Sequence, residues 1–143
     1  MNRYMMTGRR NFIKTTLTVA SGMALGQAST VFATGTTGSC PASIVYTAEN
    51  PGQWSKKVKG HAPQVSIEGK KVTITTNHGM SEEHYIVRHT LVTDDGKVLG
   101  AKTFSPSEEN AVSTYELPEG LVSKLHATSF CNKHDLWVTE VTL

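Results

Sequence analysis

An all-β fold, an immunoglobulin-like sandwich of about seven strands, is what this sequence predicts, on three observations. From about Val65 onward, Val, Ile, Thr and Tyr recur in short runs, the residues that pack best on a pleated, half-buried surface. Gly, Pro, Asp and Asn punctuate those runs, each a turn former for its own conformational reason. No stretch carries apolar residues at the spacing that an amphipathic helix of useful length requires.

The elements follow in order. "QVSIE" ends at Gly69 and "KVTITTN" follows it, an alternating pair with a tight turn between. "HYIVRHTLVT" runs into "DDGK", a strong hairpin turn signal. "KVLGAKTF" leads to the loop "SPSEEN", and "AVSTYEL" is closed by "PEG". "LVSKLHATSF" and "LWVTEVTL" complete the set, and internal repeats are absent.

Ahead of the strands, residues 1–33 read differently. Arg9 and Arg10 precede a mildly apolar run from Phe12 to about Gly26, and Val31-Phe32-Ala33 offers the small or apolar groups a signal peptidase reads. The run is too short and too Thr-rich to span a membrane. "TGRRNFIK" resembles the twin-arginine export signal, Ser/Thr-Arg-Arg-x-Phe-Leu-Lys. The resemblance implies a folded, metal- or cofactor-loaded protein delivered to the periplasm or otherwise exported, with no membrane anchor after cleavage. A lipoprotein anchored at Cys40 is disfavoured, because "TGSC" lacks the apolar residue a lipobox needs. Residues 34–55, Thr-, Gly- and Ser-rich at their start, are expected to be a linker or loosely packed lead-in, and 56–143 the folded domain.

Cleavage after residue 33 leaves 110 of the 143 residues, enough for one modest core. The whole-chain charge of +2 misleads. Without Arg3, Arg9, Arg10 and Lys14, the 14 basic residues fall to 10 against 12 acidic ones, a net of −2. No basic stripe remains for nucleic acid, so small molecules or proteins are the expected partners. Two cysteines in an exported chain permit one disulfide, Cys40 to Cys131.

The histidines point elsewhere. His61 stands in "KGHAPQV", His78 and His84 in "NHGMSEEHYI", and Cys131 and His134 in "SFCNKHDLW", all at strand ends or loops. Any one alone reads as a solvated loop histidine. As a set of imidazoles with a thiolate they suit zinc, iron or copper, not the oxygen-loving cations. His89, five residues from His84, faces the other side of its strand, and His126 is likewise structural or solvated.

Together "HAP", "HGMSEEHYI" and "CNKHDLW" resemble the iron-binding motifs of the superoxide reductase family, the neelaredoxins and desulfoferrodoxins. Members show His-x-Pro, His-Pro-Met followed by His-Tyr-Ile, and Cys-Asn-x-His-Gly-Leu-Trp. The resemblance covers residues 61–140 and implies one iron per chain. His61, His78, His84 and His134 would be its equatorial ligands, Cys131 its axial thiolate, and the sixth position would stay open. The implied activity is one-electron reduction of superoxide to hydrogen peroxide, with a separate electron-donor protein as partner. A homo-oligomer is compatible with this reading.

The departures are specific. Lys59 and Gly60 stand where the family commonly has Glu and Lys, so the glutamate that caps oxidised iron is missing. Lys57 or Lys59 is the candidate for steering the anion. Gly79 replaces a proline and Asp135 a glycine, and no four-cysteine rubredoxin-like domain is present. Two rivals stay open: a non-catalytic metal-binding, electron-transfer or redox-sensing module on the same ligands, and a metal-free sandwich closed by a Cys40–Cys131 disulfide.

Overall fold

A computed structural model describes residues 43–143. The expected signal at 1–33 and Cys40 lie outside the described residues. The elements are strand β1 (Val45–Tyr46), a 3-10 turn (Gly52–Lys57), the short helix α1 (Val58–His61), and strands β2 (Gln64–Glu68), β3 (Lys71–Thr76), β4 (Ile86–Thr93), β5 (Val98–Thr103), β6 (Ala111–Glu116), β7 (Lys124–Cys131) and β8 (Asp135–Thr142). They form a five-stranded sheet, β1-β8-β7-β4-β5, and a three-stranded sheet, β2-β3-β6. Every pairing is antiparallel except that of β1 with β8. The all-β sandwich is the predicted class. Among the described residues, no helix is long and apolar enough to cross a membrane.

Two expectations shift in detail. The boundary expected at residue 55 falls inside the folded unit. Tyr46 is 1 % exposed; its ring lies 5.6 Å from that of Trp137, and its hydroxyl accepts from Gln53 Nε2. A two-residue strand leaves no alternating pattern, so composition alone made this segment look loose. The run expected to begin at His84 becomes strand only at Ile86. Ser81 and His84 exchange backbone hydrogen bonds of 3.1 Å, which close a tight loop, and the β4–β7 register slips between Ile86 and Arg88. His84 therefore lies ahead of the β4 ladder, on the loop that Ser81 closes.

Strand alternation divides the interior into layers. One apolar cluster holds Val72, Ile74, Leu91, Leu117, Leu125 and Ala127. A second, smaller one holds Ile86, Phe104, Ala111 and Cys131. Between them along the strands lies a buried polar layer of Thr76, His89, Ser113 and Ser129. Thr76 Oγ1 donates to Ser129 Oγ at 2.9 Å and therefore accepts from His89 Nε2 at 2.9 Å, leaving Nδ1 to accept from the Ser113 hydroxyl at 2.9 Å. These bonds join the two sheets and satisfy a neutral imidazole completely.

Burial and then the nearby Lys102 charge lower the His89 pKa from 6.5 to about 4. The consequence for stability has a definite sign. Above about pH 6.5 the ring is neutral in both states and costs nothing. As pH falls towards 4, the unfolded chain takes a proton that the folded protein refuses. The expected loss reaches about 3 kcal/mol across that window, at 1.36 kcal/mol per pKa unit. Urea unfolding at neutral pH and near pH 4.5 measures it, and His89→Gln should flatten that share of the pH dependence. Equal acid sensitivity in wild type and variant would place the proton uptake elsewhere.

Candidate metal centre

One end of the sandwich gathers the residues that sequence reasoning singled out. His61 closes α1 and is 4 % exposed; its Nδ1 donates to the Lys57 carbonyl at 2.9 Å. That bond fixes the tautomer, so Nε2 of the neutral ring carries the lone pair. His78 follows β3, where its backbone N–H bonds the Thr76 carbonyl. Cys131 ends β7 and pairs with Asp135 across a short hairpin. Asn132, Lys133 and His134 form that turn, and Asp135 closes it at φ +64°, a left-handed conformation that favours glycine.

The nitrogens converge. His61 Nε2 lies 3.0 Å from His134 Nδ1, which lies 2.9 Å from His84 Nε2, which lies 3.1 Å from His78 Nε2. The His61 and His78 rings, 4.6 Å apart edge to face, close the circle. His61, His78, His84 and Cys131 each offer a ligand atom within 4.8 Å of all the others. His134 joins this set through its contacts with His61 and His84 and through a 3.6 Å approach of Nδ1 to Cys131 Sγ.

Protons cannot satisfy this arrangement. His61 Nε2 and His84 Nε2 both face His134 Nδ1, which has at most one hydrogen to give. Burial lowers the pKa of all four rings, that of His61 to about 4, and keeps their lone pairs bare. His78 Nδ1 is buried with no hydrogen bond of good geometry, and burial lowers the pKa of its ring. Burial likewise raises the Cys131 thiol, against the Lys133 and His134 backbone N–H groups. Four neutral imidazoles and one thiol facing one another make a donor set suited to a cation. A bound metal would take the lone pairs and hold the sulfur as thiolate. The nitrogen and sulfur donor set fits iron.

Lysines and aromatic groups surround the cluster. After burial, Lys57 lowers His78, His84 and His134, and Lys133 lowers His84 and His134. Lys59 is exposed on α1, two residues before His61. His89 and His126 are elsewhere: His89 in the inter-sheet layer, His126 on the outer face with Asp94 at 3.0 Å. Cys131 carries no disulfide among the described residues.

Three further residues position the cluster. Asn132 accepts from the Tyr85 backbone at 3.1 Å and donates to the Glu83 carbonyl at 3.0 Å, tying the Cys131 turn to the His84 loop. The Trp137 indole donates to the His134 carbonyl at 2.8 Å, so this tryptophan is both core and support. Trp54 meets the His134 ring edge-on at 4.6 Å. The "CNKHDLW" string held the signal for Asn132 and Trp137; nothing local marks Trp54.

Fold and donor set define a β-sandwich carrying a cluster of four histidines and a cysteine whose donor atoms could hold a metal. The chain belongs to the desulfoferrodoxin family, which residues 53–140 match. Similar solved structures include a variant of the superoxide reductase (neelaredoxin) from Ignicoccus hospitalis, with 22% identity and a TM-score of 0.60 over 73% of this chain and 97% of that one. The superoxide reductase from Treponema pallidum aligns with 26% identity and a TM-score of 0.52 over 59% of this chain and 69% of that one. A reduced variant of the neelaredoxin-type superoxide reductase from Archaeoglobus fulgidus aligns with 28% identity and a TM-score of 0.51 over 62% and 91%. No curated protein matches the sequence.

Proposed function

We propose that this protein is a superoxide reductase, exported by the twin-arginine route and holding one iron per chain on His61, His78, His84, His134 and Cys131. The observation that supports this best is the convergence of four bare imidazole nitrogens on a buried thiol in a desulfoferrodoxin-family fold. Iron bound there would supply the single electron that, with two protons, takes superoxide to hydrogen peroxide, and a separate donor protein would restore it.

The chain's own residues do the rest. The Lys57 carbonyl holds the His61 tautomer, while Asn132 and Trp137 hold the two loops that carry His84 and His134. Family members commonly place a glutamate where Lys59 stands, and an ammonium cannot ligate a cation. Anion access is therefore left to charge. The Lys57 and Lys133 charges act on His84 and His134, and Lys59 adds an exposed ammonium on α1.

Metal analysis of protein made with ample iron, followed by superoxide challenge of the reduced form, tests the reading. Stoichiometric iron and peroxide without dioxygen are expected. Stoichiometric zinc with negligible iron would overturn it. Lys57→Ala combined with Lys133→Ala should slow the reaction several-fold at low salt and much less at about 0.15 M, where the screening length falls to about 8 Å. An effect independent of salt would mean that these lysines do more than steer.

A further inference from the structure

Trp54 and Asp135 stand 81 residues apart, yet the indole Nε1–H donates to Asp135 Oδ2 at 2.9 Å. The same indole meets the His134 ring edge-on, with centroids 4.6 Å apart and planes at 85°. His134 is the one histidine of the cluster carried on a hairpin tip, and Asp135 is its neighbour at the left-handed corner. Glycine adopts that left-handed conformation freely, whereas an aspartate there pays a conformational cost. The strained aspartate is held by its bond to Trp54.

We propose that Asp135 and Trp54 form a latch that positions His134 for metal retention, rather than merely completing the turn. The latch works from the ring side. Trp137 bonds the His134 carbonyl from the core side, so without Trp54 the backbone stays tethered while the imidazole is freer to rotate. Trp54 lies on the 3-10 turn whose last residue, Lys57, accepts from His61. One segment thus braces two neighbouring histidines of the ring. Asp135 and Trp54 act through His134 and are positioning residues. The proposal rests on the metal-centre reading above.

The two possible roles of Asp135 predict opposite effects of glycine. If the residue serves only the turn, Asp135→Gly relieves the left-handed strain and harms nothing. If it serves the latch, Asp135→Gly leaves the metal-free domain at least as stable to urea, yet releases bound Co(II) to a chelator about 10-fold or more faster. Losses of groups that orient metal ligands commonly fall between about 10- and 100-fold. Asp135→Asn keeps an acceptor oxygen and tolerates the corner, so it should release Co(II) at close to the wild-type rate. Trp54→Phe keeps an aromatic edge but loses the donor; it should match Asp135→Gly, and the double variant should add little further. The cobalt spectrum reports the same geometry without any turnover.

Equal release from wild type and Asp135→Gly would overturn the latch. So would an asparagine variant that behaves like glycine, since charge and not the hydrogen bond would then be responsible. Wild-type protein that takes up no Co(II) would instead overturn the metal-centre reading, and the latch with it.

Discussion

Cys131→Ser is expected to erase the visible charge-transfer band of the oxidised, iron-loaded protein and to lower superoxide reduction by more than about 100-fold. The band needs a thiolate as electron donor to ferric iron, and a neutral hydroxyl cannot replace it. Loss of a ligand should exceed the 10- to 100-fold typical for the groups behind ligands. The domain should nevertheless fold. Cys131 is 1 % exposed and packs with Ile86, Phe104 and Ala111, and a serine of nearly the same shape keeps the Lys133 N–H within reach. The expected cost to stability is about 1–2 kcal/mol, that of burying a hydroxyl with one partner. Absorption of the oxidised variant, beside its far-ultraviolet circular dichroism, checks both halves. A visible band that survives in a folded variant would show that Cys131 is not the thiolate ligand.

Trp137→Ala should destabilise the domain by about 3–5 kcal/mol, the usual consequence of truncating a large buried aromatic residue. That is a large part of the 5–15 kcal/mol typical of a whole domain. The side chain is 0 % exposed and meets Tyr46 and His61, with ring centroids at 5.6 and 5.9 Å. Its removal opens a cavity beneath the ring of histidines and unseats β1. It also leaves the His134 carbonyl without its indole donor. Trp137→Phe separates the two contributions: it fills most of the volume but has no N–H. Phenylalanine should therefore recover much of the urea midpoint, while metal release to a chelator stays fast. An alanine variant with the wild-type midpoint would show that the cavity collapses without cost, contrary to the packing around Tyr46.

Much of this molecule is legible along the chain. Alternation in "KVTITT" and "KLHATSFC" marks β3 and β7, because successive side chains of a strand face opposite ways and only one face meets the core. The candidate metal ligands are legible for a different reason. Cys131 and His134 must sit at opposite ends of one tight hairpin turn, and His78 and His84 on one loop, so chemistry and covalent spacing write them as short motifs.

Where two remote segments must meet, the chain carries no local mark. Composition alone describes Val45–Tyr46 as a lead-in, but Trp137, the best part of a hundred residues away, gives Tyr46 a buried place. Sequence position cannot choose between Lys57 and Lys59; the winding of the 3-10 turn into α1 sets the Lys57 charge against the histidines. His89 reads as an ordinary strand histidine until the second sheet brings Thr76 and Ser113 to its two nitrogens. Nothing in the sequence joins Trp54 to Asp135, and they become a pair only when the hairpin tip folds against the 3-10 turn. Strand periodicity and ligand spacing are properties of neighbouring bonds, and the sequence by itself determines them. Which far residue fills a pocket or accepts a proton depends on how sheets and loops pack, and only the tertiary structure decides that.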